Sequence, residues 1–193
     1  MHLSGKHTLT DNMSEILIQR IITKEKKAQE EFYKKYSPQM FRLIYRYVKN
    51  EADAASILNI GFFRIFSKIH GLNYINEISF IGWMKKIMIN ESLMFLRQND
   101  HFKDIETCFE ELPPDEGNCP DSGLMLEDYY LLIRQLPQDL RTVFNLFAID
   151  GFSHKEIAAN LNISESSSRV YLTRARALLR RTLTGEKINY ERK

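Results

Sequence analysis

The sequence predicts an all-α protein of two small helical domains joined by an acidic flexible linker. Three observations carry that expectation. Only 8 Gly and 5 Pro occur in 193 residues, too few turn formers for a many-stranded β architecture. Apolar residues recur at helical spacing on both sides of one interruption. Charge divides at the same place: residues 1–97 hold 15 Lys and Arg against 9 Asp and Glu, residues 98–128 one Lys against 10 acids, and residues 129–193 11 bases against 6 acids. Two basic blocks on an acidic tether are either polyanion-binding modules or solvated charged faces. Motifs must decide.

The first domain, residues 14–97, is expected to form about four helices. A weak helix runs from Ser14 to about Tyr36. Met40, Ile44, Tyr47 and Val48, at i, i+4, i+7 and i+8, make one apolar face of the next. Leu58, Phe62, Ile65, Phe66 and Ile69 repeat the spacing, with Gly71 as a stop. Gly61 inside that stripe costs up to ~1 kcal/mol against alanine, which points to a close packing contact. Phe80, Trp83, Ile87, Asn90 and Met94 mark a further helix, with Lys85 and Lys86 on its other side. Trp83 suits either a core or a platform for a base, because indole serves both uses. Tyr33, Tyr36, Tyr45 and Tyr47 are packing residues with wet hydroxyls.

Residues 98–123 contain Pro113-Pro114, Gly117-Asn118 and Pro120, and their apolar residues keep no period. This is the linker. Its Cys108 and Cys119, even with His101, lack the close pairing of a zinc site.

In the second domain, residues 124–183, Leu126, Tyr130 and Ile133 lead to Leu136-Pro137, where a helix ends. Leu140, Val143, Phe144 and Phe147 give the next, stopped by Asp150-Gly151. Ser153-His154-Lys155-Glu156 is a capping box, in which hydroxyl and carboxylate each satisfy a free backbone N–H; His154 is expected to face solvent there. Ile157, Ala158 and Leu161 form a short apolar face, and Asn162 suits a left-handed turn. Ser164 caps a last helix whose inward positions are Ser168, Leu172, Ala175 and Leu179.

A short capped helix, a tight turn and a second capped helix, Ser164 to Arg181, form a helix-turn-helix. The second carries Arg169, Arg174, Arg176, Arg180 and Arg181 against a single Glu165. Arg169, Thr173 and Arg176 share an outward face, and arginine there binds guanine edges bidentately or clamps phosphates. The small Ser166, Ser167 and Ser168 let the helix N-terminus approach a phosphate. DNA binding is the expected function of this block.

The runs Arg141-Thr142-Val143-Phe144, Gly151-Phe152-Ser153-His154-Lys155-Glu156-Ile157-Ala158 and Arg174-Ala175-Arg176 resemble region 4 of bacterial sigma factors of the extracytoplasmic-function type. Phe41-Arg42-Leu43 through Val48, residues 51–66, and Phe80-Ile81-Gly82-Trp83 through Arg97 resemble region 2 of the same family. The resemblance implies a sigma factor that binds core RNA polymerase and directs promoter-specific initiation, without catalytic residues, metal or other cofactor. It implies polymerase contacts at Asp53, Ser56, Asn59 and Ile60. For the −10 element it implies a base-holding loop with Asn73 and Tyr74, and Trp83, Lys85, Lys86 and Asn90 beside the strand. For the −35 element it implies base contacts from Arg169, Val170, Thr173 and Arg174. Ser166, Ser167, Ser168 and Arg176 would then lie on phosphates. An anti-sigma factor is an implied partner.

One run departs from the family, which has Asp, two apolar residues, Gln and Glu where this chain has Ser56-Ile57-Leu58-Asn59-Ile60. A co-adapted polymerase or a weaker clamp affinity would each account for it. The rival reading is a stand-alone helix-turn-helix regulator with an N-terminal dimerisation or sensing domain. No nucleophile triad, phosphate-cradling glycine loop or paired carboxylate is apparent. No apolar run approaches the ~18 residues of a membrane helix, and residues 1–10 lack a signal-peptide core. A cytoplasmic chain without membrane insertion is expected.

Overall fold

The computed structural model describes residues 5–23, 25–98 and 126–183. The chain divides into two compact units, Met1–Met94 and Phe95–Lys193, and no strand occurs among the described residues. The expected linker from residue 99 onward, with Cys108, Cys119 and His101, lies outside them.

The first unit is built on α1 (Gly5–Ile22), α2 (Lys26–Tyr47), α3 (Glu51–Lys68) and α4 (Glu77–Gln98). The expected break between Tyr36 and Met40 is absent: α2 runs unbroken through Pro38, and the two helices part earlier, α1 ending at Ile22 and α2 beginning at Lys26. A helix-interior proline costs ~3 kcal/mol. Phe32, Tyr36, Met40, Leu43, Ile44 and Tyr47 are buried along the same helix, and each such side chain contributes ~1.5–3 kcal/mol. The stripe outweighs the proline. Arg20 closes the turn between α1 and α2, pairing with Glu25 and Glu31 at 2.7 Å each.

Asn50 caps α3 by accepting the Ala52 N–H at 2.8 Å, and Glu51 and Asp53 face the positive end of the helix dipole. Gly71 ends a one-turn 3-10 extension, Ile69–Gly71, without positive φ; the stop there is not a left-handed cap. A Cβ on Gly61 would overlap the Met88 thioether of α4, so glycine permits the α3–α4 contact. Phe32 gathers an aromatic core, with ring centroids of Tyr36, Phe66, Phe80 and Phe62 at 4.7, 5.5, 5.8 and 6.1 Å.

The second unit contains α5 (Leu126–Gln135), α6 (Gln138–Phe144), α7 (His154–Leu161) and α8 (Glu165–Leu183). Helix α6 passes into a π-type turn, Asn145–Ile149, and Gly151 ends it with φ +75°. The capping box forms as expected, with Ser153 and Glu156 exchanging both bonds. Asn162 adopts the left-handed conformation, φ 56° and ψ 44°. Leu136, Leu140, Ala175 and Leu178 form the core, with Phe144, Tyr171 and Leu179 packed against it. Leu178, not the expected Leu179, is the buried residue of that turn.

Candidate nucleic-acid interface

Helix α8 is held on two sides, by α6 and by α7. Its N-terminus is closed by Ser164, whose Oγ accepts the Ser167 N–H at 2.9 Å and lies 2.7 and 2.8 Å from the Ser166 and Ser167 hydroxyls. Leu172 and Ala175 point inward at 4% and 0% exposure. The opposite side carries Arg169, Val170, Thr173 and Arg176, all exposed. Arg169 pairs loosely with Glu165 at 3.3 Å, its side chain still 62% exposed. An exposed i,i+4 pair contributes only ~0.3–0.5 kcal/mol, so this pair holds the Arg169 guanidinium only weakly. The Arg176 guanidinium lies over the Phe147 ring at 5.9 Å. Arg174 is half-buried and engaged with its surroundings.

Ser168 leaves the predicted phosphate-contacting group. Its side chain is fully buried and hydrogen-bonded to His154 Nδ1 at 2.9 Å, while its N–H is bound by the Ser164 carbonyl. His154, expected to face solvent, is half-buried, with its ring stacked on Phe147 at 4.5 Å. Burial, then Arg169 and Arg176, hold its pKa below the ordinary histidine value, against Glu165.

In the first unit, α3 turns Ser56, Asn59, Ile60 and Phe63 to solvent, opposite the buried Ala54, Ile57, Leu58, Phe62 and Ile65. Asp53 is half-buried at the start of that helix. Asn59 Oδ1 accepts from the Tyr33 hydroxyl at 3.3 Å. Ile60 is 47% and Phe63 73% exposed. Sequence reading missed Phe63, although it breaks the inward stripe and so was open to detection.

The loop after α3 exposes Asn73 and half-buries Tyr74, whose ring lies 5.9 Å from Phe80. Trp83 is half-buried and stacks on Phe80 at 5.7 Å. Lys86 and Asn90, at i+3 and i+7 from Trp83, are exposed on the same side of α4. Lys85 lies about 200° round the helix from Trp83 and is half-buried; it does not join them. Asn90 also lies off the buried stripe on which the sequence placed it.

Beneath the loop, Glu77 receives hydrogen bonds from Ser14, Lys35 and Tyr36 at 2.9, 3.0 and 3.3 Å. This ties α1 and α2 to the first turn of α4.

The family model described as Sigma-70 region 2 matches residues 32–102, and that described as Sigma-70, region 4 matches residues 126–179. The chain belongs to the sigma-70 family, in its extracytoplasmic-function subgroup. It is 27% identical over 161 residues to the ECF RNA polymerase sigma factor SigE of Mycolicibacterium smegmatis, covering 78% of this chain and 60% of that relative. It is 24% identical to the RNA polymerase sigma-H factor of Pseudomonas aeruginosa, covering 91% and 96% of the two chains. With the ECF RNA polymerase sigma factor SigW of Bacillus subtilis it shares 27% identity over 88% of this chain and 98% of the other. Among solved structures it is similar to CnrH in complex with the cytosolic domain of CnrY, with TM-score 0.48, 19% identity, and 89% and 97% of the chains covered. It is also similar to the sigma factor RpoE in complex with the anti-sigma factor NepR from Bartonella quintana, with TM-score 0.47, 18% identity, and 82% and 99% covered. Among the described residues of this sigma factor no helix is long and apolar enough to cross a membrane.

Proposed function

We propose that this sigma factor binds core RNA polymerase through α3 and directs initiation at promoters read by both units. Residues 14–97 dock on polymerase and take the −10 element, residues 98–123 form the tether, and residues 124–183 read the −35 element. The face of α3 supplies Ser56, Asn59, Ile60 and the added Phe63, with Asp53 at its edge. Asn73, Tyr74, Trp83, Lys86 and Asn90 lie beside the −10 strand. On α8, Arg169, Val170, Thr173 and Arg174 face bases, while Ser166, Ser167 and Arg176 hold phosphates. The protein acts in the cytoplasm, without chemistry of its own, and an anti-sigma factor restrains it.

The observation that carries this reading is the exposed Arg169–Thr173 face on the second helix of a helix-turn-helix, in a chain matching region 2 as well. Run-off transcription of genomic fragments with core polymerase tests it, repeated with a −35 saturation library. Arg169→Ala should relax preference at one −35 position, because an arginine bidentate to guanine contributes ~1–3 kcal/mol of discrimination. Arg176→Ala should weaken all promoters alike and lower the salt slope by about one unit. An Arg169→Ala profile that is merely scaled down would refute base reading by that residue. Nanomolar promoter binding by the free chain in physiological salt would favour the regulator instead.

A further inference from the structure

His154 sits where α7 meets α8, and the −35 reading leaves it without a role. Its Nδ1 is 2.9 Å from Ser168 Oγ, and Ser168 is fully buried. Among the described residues the Ser168 hydroxyl has no second partner. Two proton arrangements are open. Were Nδ1–H the donor, the serine proton would be buried with no acceptor and would bear the full desolvation penalty. With Oγ–H donating to Nδ1, every polar hydrogen of the pair is placed, and the imidazole proton must sit on Nε2. A buried, unmet donor is the more costly defect, so the second arrangement prevails.

Nε2 has no partner among the described residues and is not one of the fully buried polar atoms. It reaches solvent as a donor. The charged groups acting on His154 are Arg169, Arg176 and Glu165, all from α8, so the net field beside the ring favours an anion. Stacking on Phe147, at 4.5 Å and 23°, fixes the ring plane. We propose that Ser168 locks His154 in the Nε2–H tautomer, and that this neutral imidazole donates a hydrogen bond to a DNA phosphate beside α8. The proposal rests on DNA binding by the second unit. Protonation would require Nδ1–H to donate and would strand the serine proton, so the contact operates without the ring becoming charged.

The test has two parts on the full-length chain. Nitrogen-15 NMR of the free protein should show His154 Nδ1 as the unprotonated nitrogen, and Ser168→Ala should mix the two tautomers. Binding to a short random-sequence DNA duplex at low salt is then measured by anisotropy, since a phosphate contact ignores sequence. H154Q places an amide nitrogen near the Nε2 position and should stay within about twofold of wild type. H154N, reaching only the Nδ1 position, and H154F, which keeps the stack on Phe147, should each lose about fivefold, the worth of one hydrogen bond. A protonated Nδ1, or H154F binding as tightly as wild type, overturns the proposal while leaving the DNA reading intact. Failure of the wild-type chain to bind the duplex overturns both.

Discussion

Replacing Asp139 by asparagine should stabilise the second unit above neutral pH and change little in acid. Asp139 lies in the first turn of α6, only 6% exposed, and its Oδ1 has no hydrogen-bond partner. Burial raises its pKa from 3.8 to about 7, with Arg141 pulling the other way. The folded chain therefore holds this proton more tightly than the unfolded one. The stability this contributes is fully present below pH ~4 and is lost as pH rises through ~7. A rise of the pKa from 3.8 to about 7 sets a ceiling of ~4 kcal/mol. Asparagine keeps the shape of the protonated acid without titrating, so the variant should exceed wild type by up to that amount at pH ~8.

Hydrogen exchange of the α6 and α8 amides reads this directly, after correction for intrinsic rates. The only tryptophan, Trp83, lies in the first unit, so its fluorescence would report the wrong domain. The refuting result is a variant less stable than wild type at pH ~8. It would mean that the Asp139 carboxylate works as a buried ion pair with Arg141, whose loss leaves an uncompensated charge. Because α8 packs on α6, −35-dependent transcription should track the same pH curve.

Three further outcomes follow from the first unit. Gly61→Ala gains up to ~1 kcal/mol of helix propensity but must displace the buried Met88, an overpacking cost of ~1–3 kcal/mol; chemical denaturation should show a net loss, and Met88→Ala should cost less in that background. Phe63→Ala should leave the melting temperature nearly unchanged, since the side chain is 73% exposed, yet weaken core polymerase in a pull-down; equal retention would remove α3 from the docking face. Glu77→Gln should cost ~1–3 kcal/mol. Burial raises the Glu77 pKa, but hydrogen bonds from Lys35 and Ser14 outweigh it and the net is a lowering. Its contribution is therefore lost as pH falls below the ordinary glutamate range, and urea midpoints of wild type and variant should converge in acid.

What was legible in the sequence was local chemistry. The Ser153 box and the left-handed Asn162 depend on residues within four positions of each other, so the residue types suffice to name the geometry. Gly61 was legible for a related reason: a costly residue inside an apolar stripe implies a neighbour that requires it, here Met88. The continuity of α2 through Pro38 was not legible. The penalty is visible in one residue, whereas the compensation comes from Phe62, Phe66 and Phe80 on other helices.

The same division governs the candidate site. A helical wheel placed Arg169, Thr173 and Arg176 outward, and all three are exposed, because an amphipathic helix sets its own inner face. The wheel also placed Ser168 inward, whereas its small size at the helix start, beside Ser166 and Ser167, offered it to a phosphate. Ser168 is instead the partner of His154, fourteen residues earlier and on another helix, and no spacing rule connects the two. The inward-facing Arg141 shows the same limit. An arginine in a basic block suggests a solvent or phosphate contact, yet this one is fully buried. It donates to the Arg134 and Leu136 carbonyls at 3.2 and 3.4 Å, closing the C-terminal end of α5. That helix end has carbonyls with no intrahelical partner, and a guanidinium satisfies several at once. Net charge along the chain therefore overstates what the second unit presents at its surface: Arg141 is used inside the fold, whereas Arg169 and Arg176 are left exposed on α8.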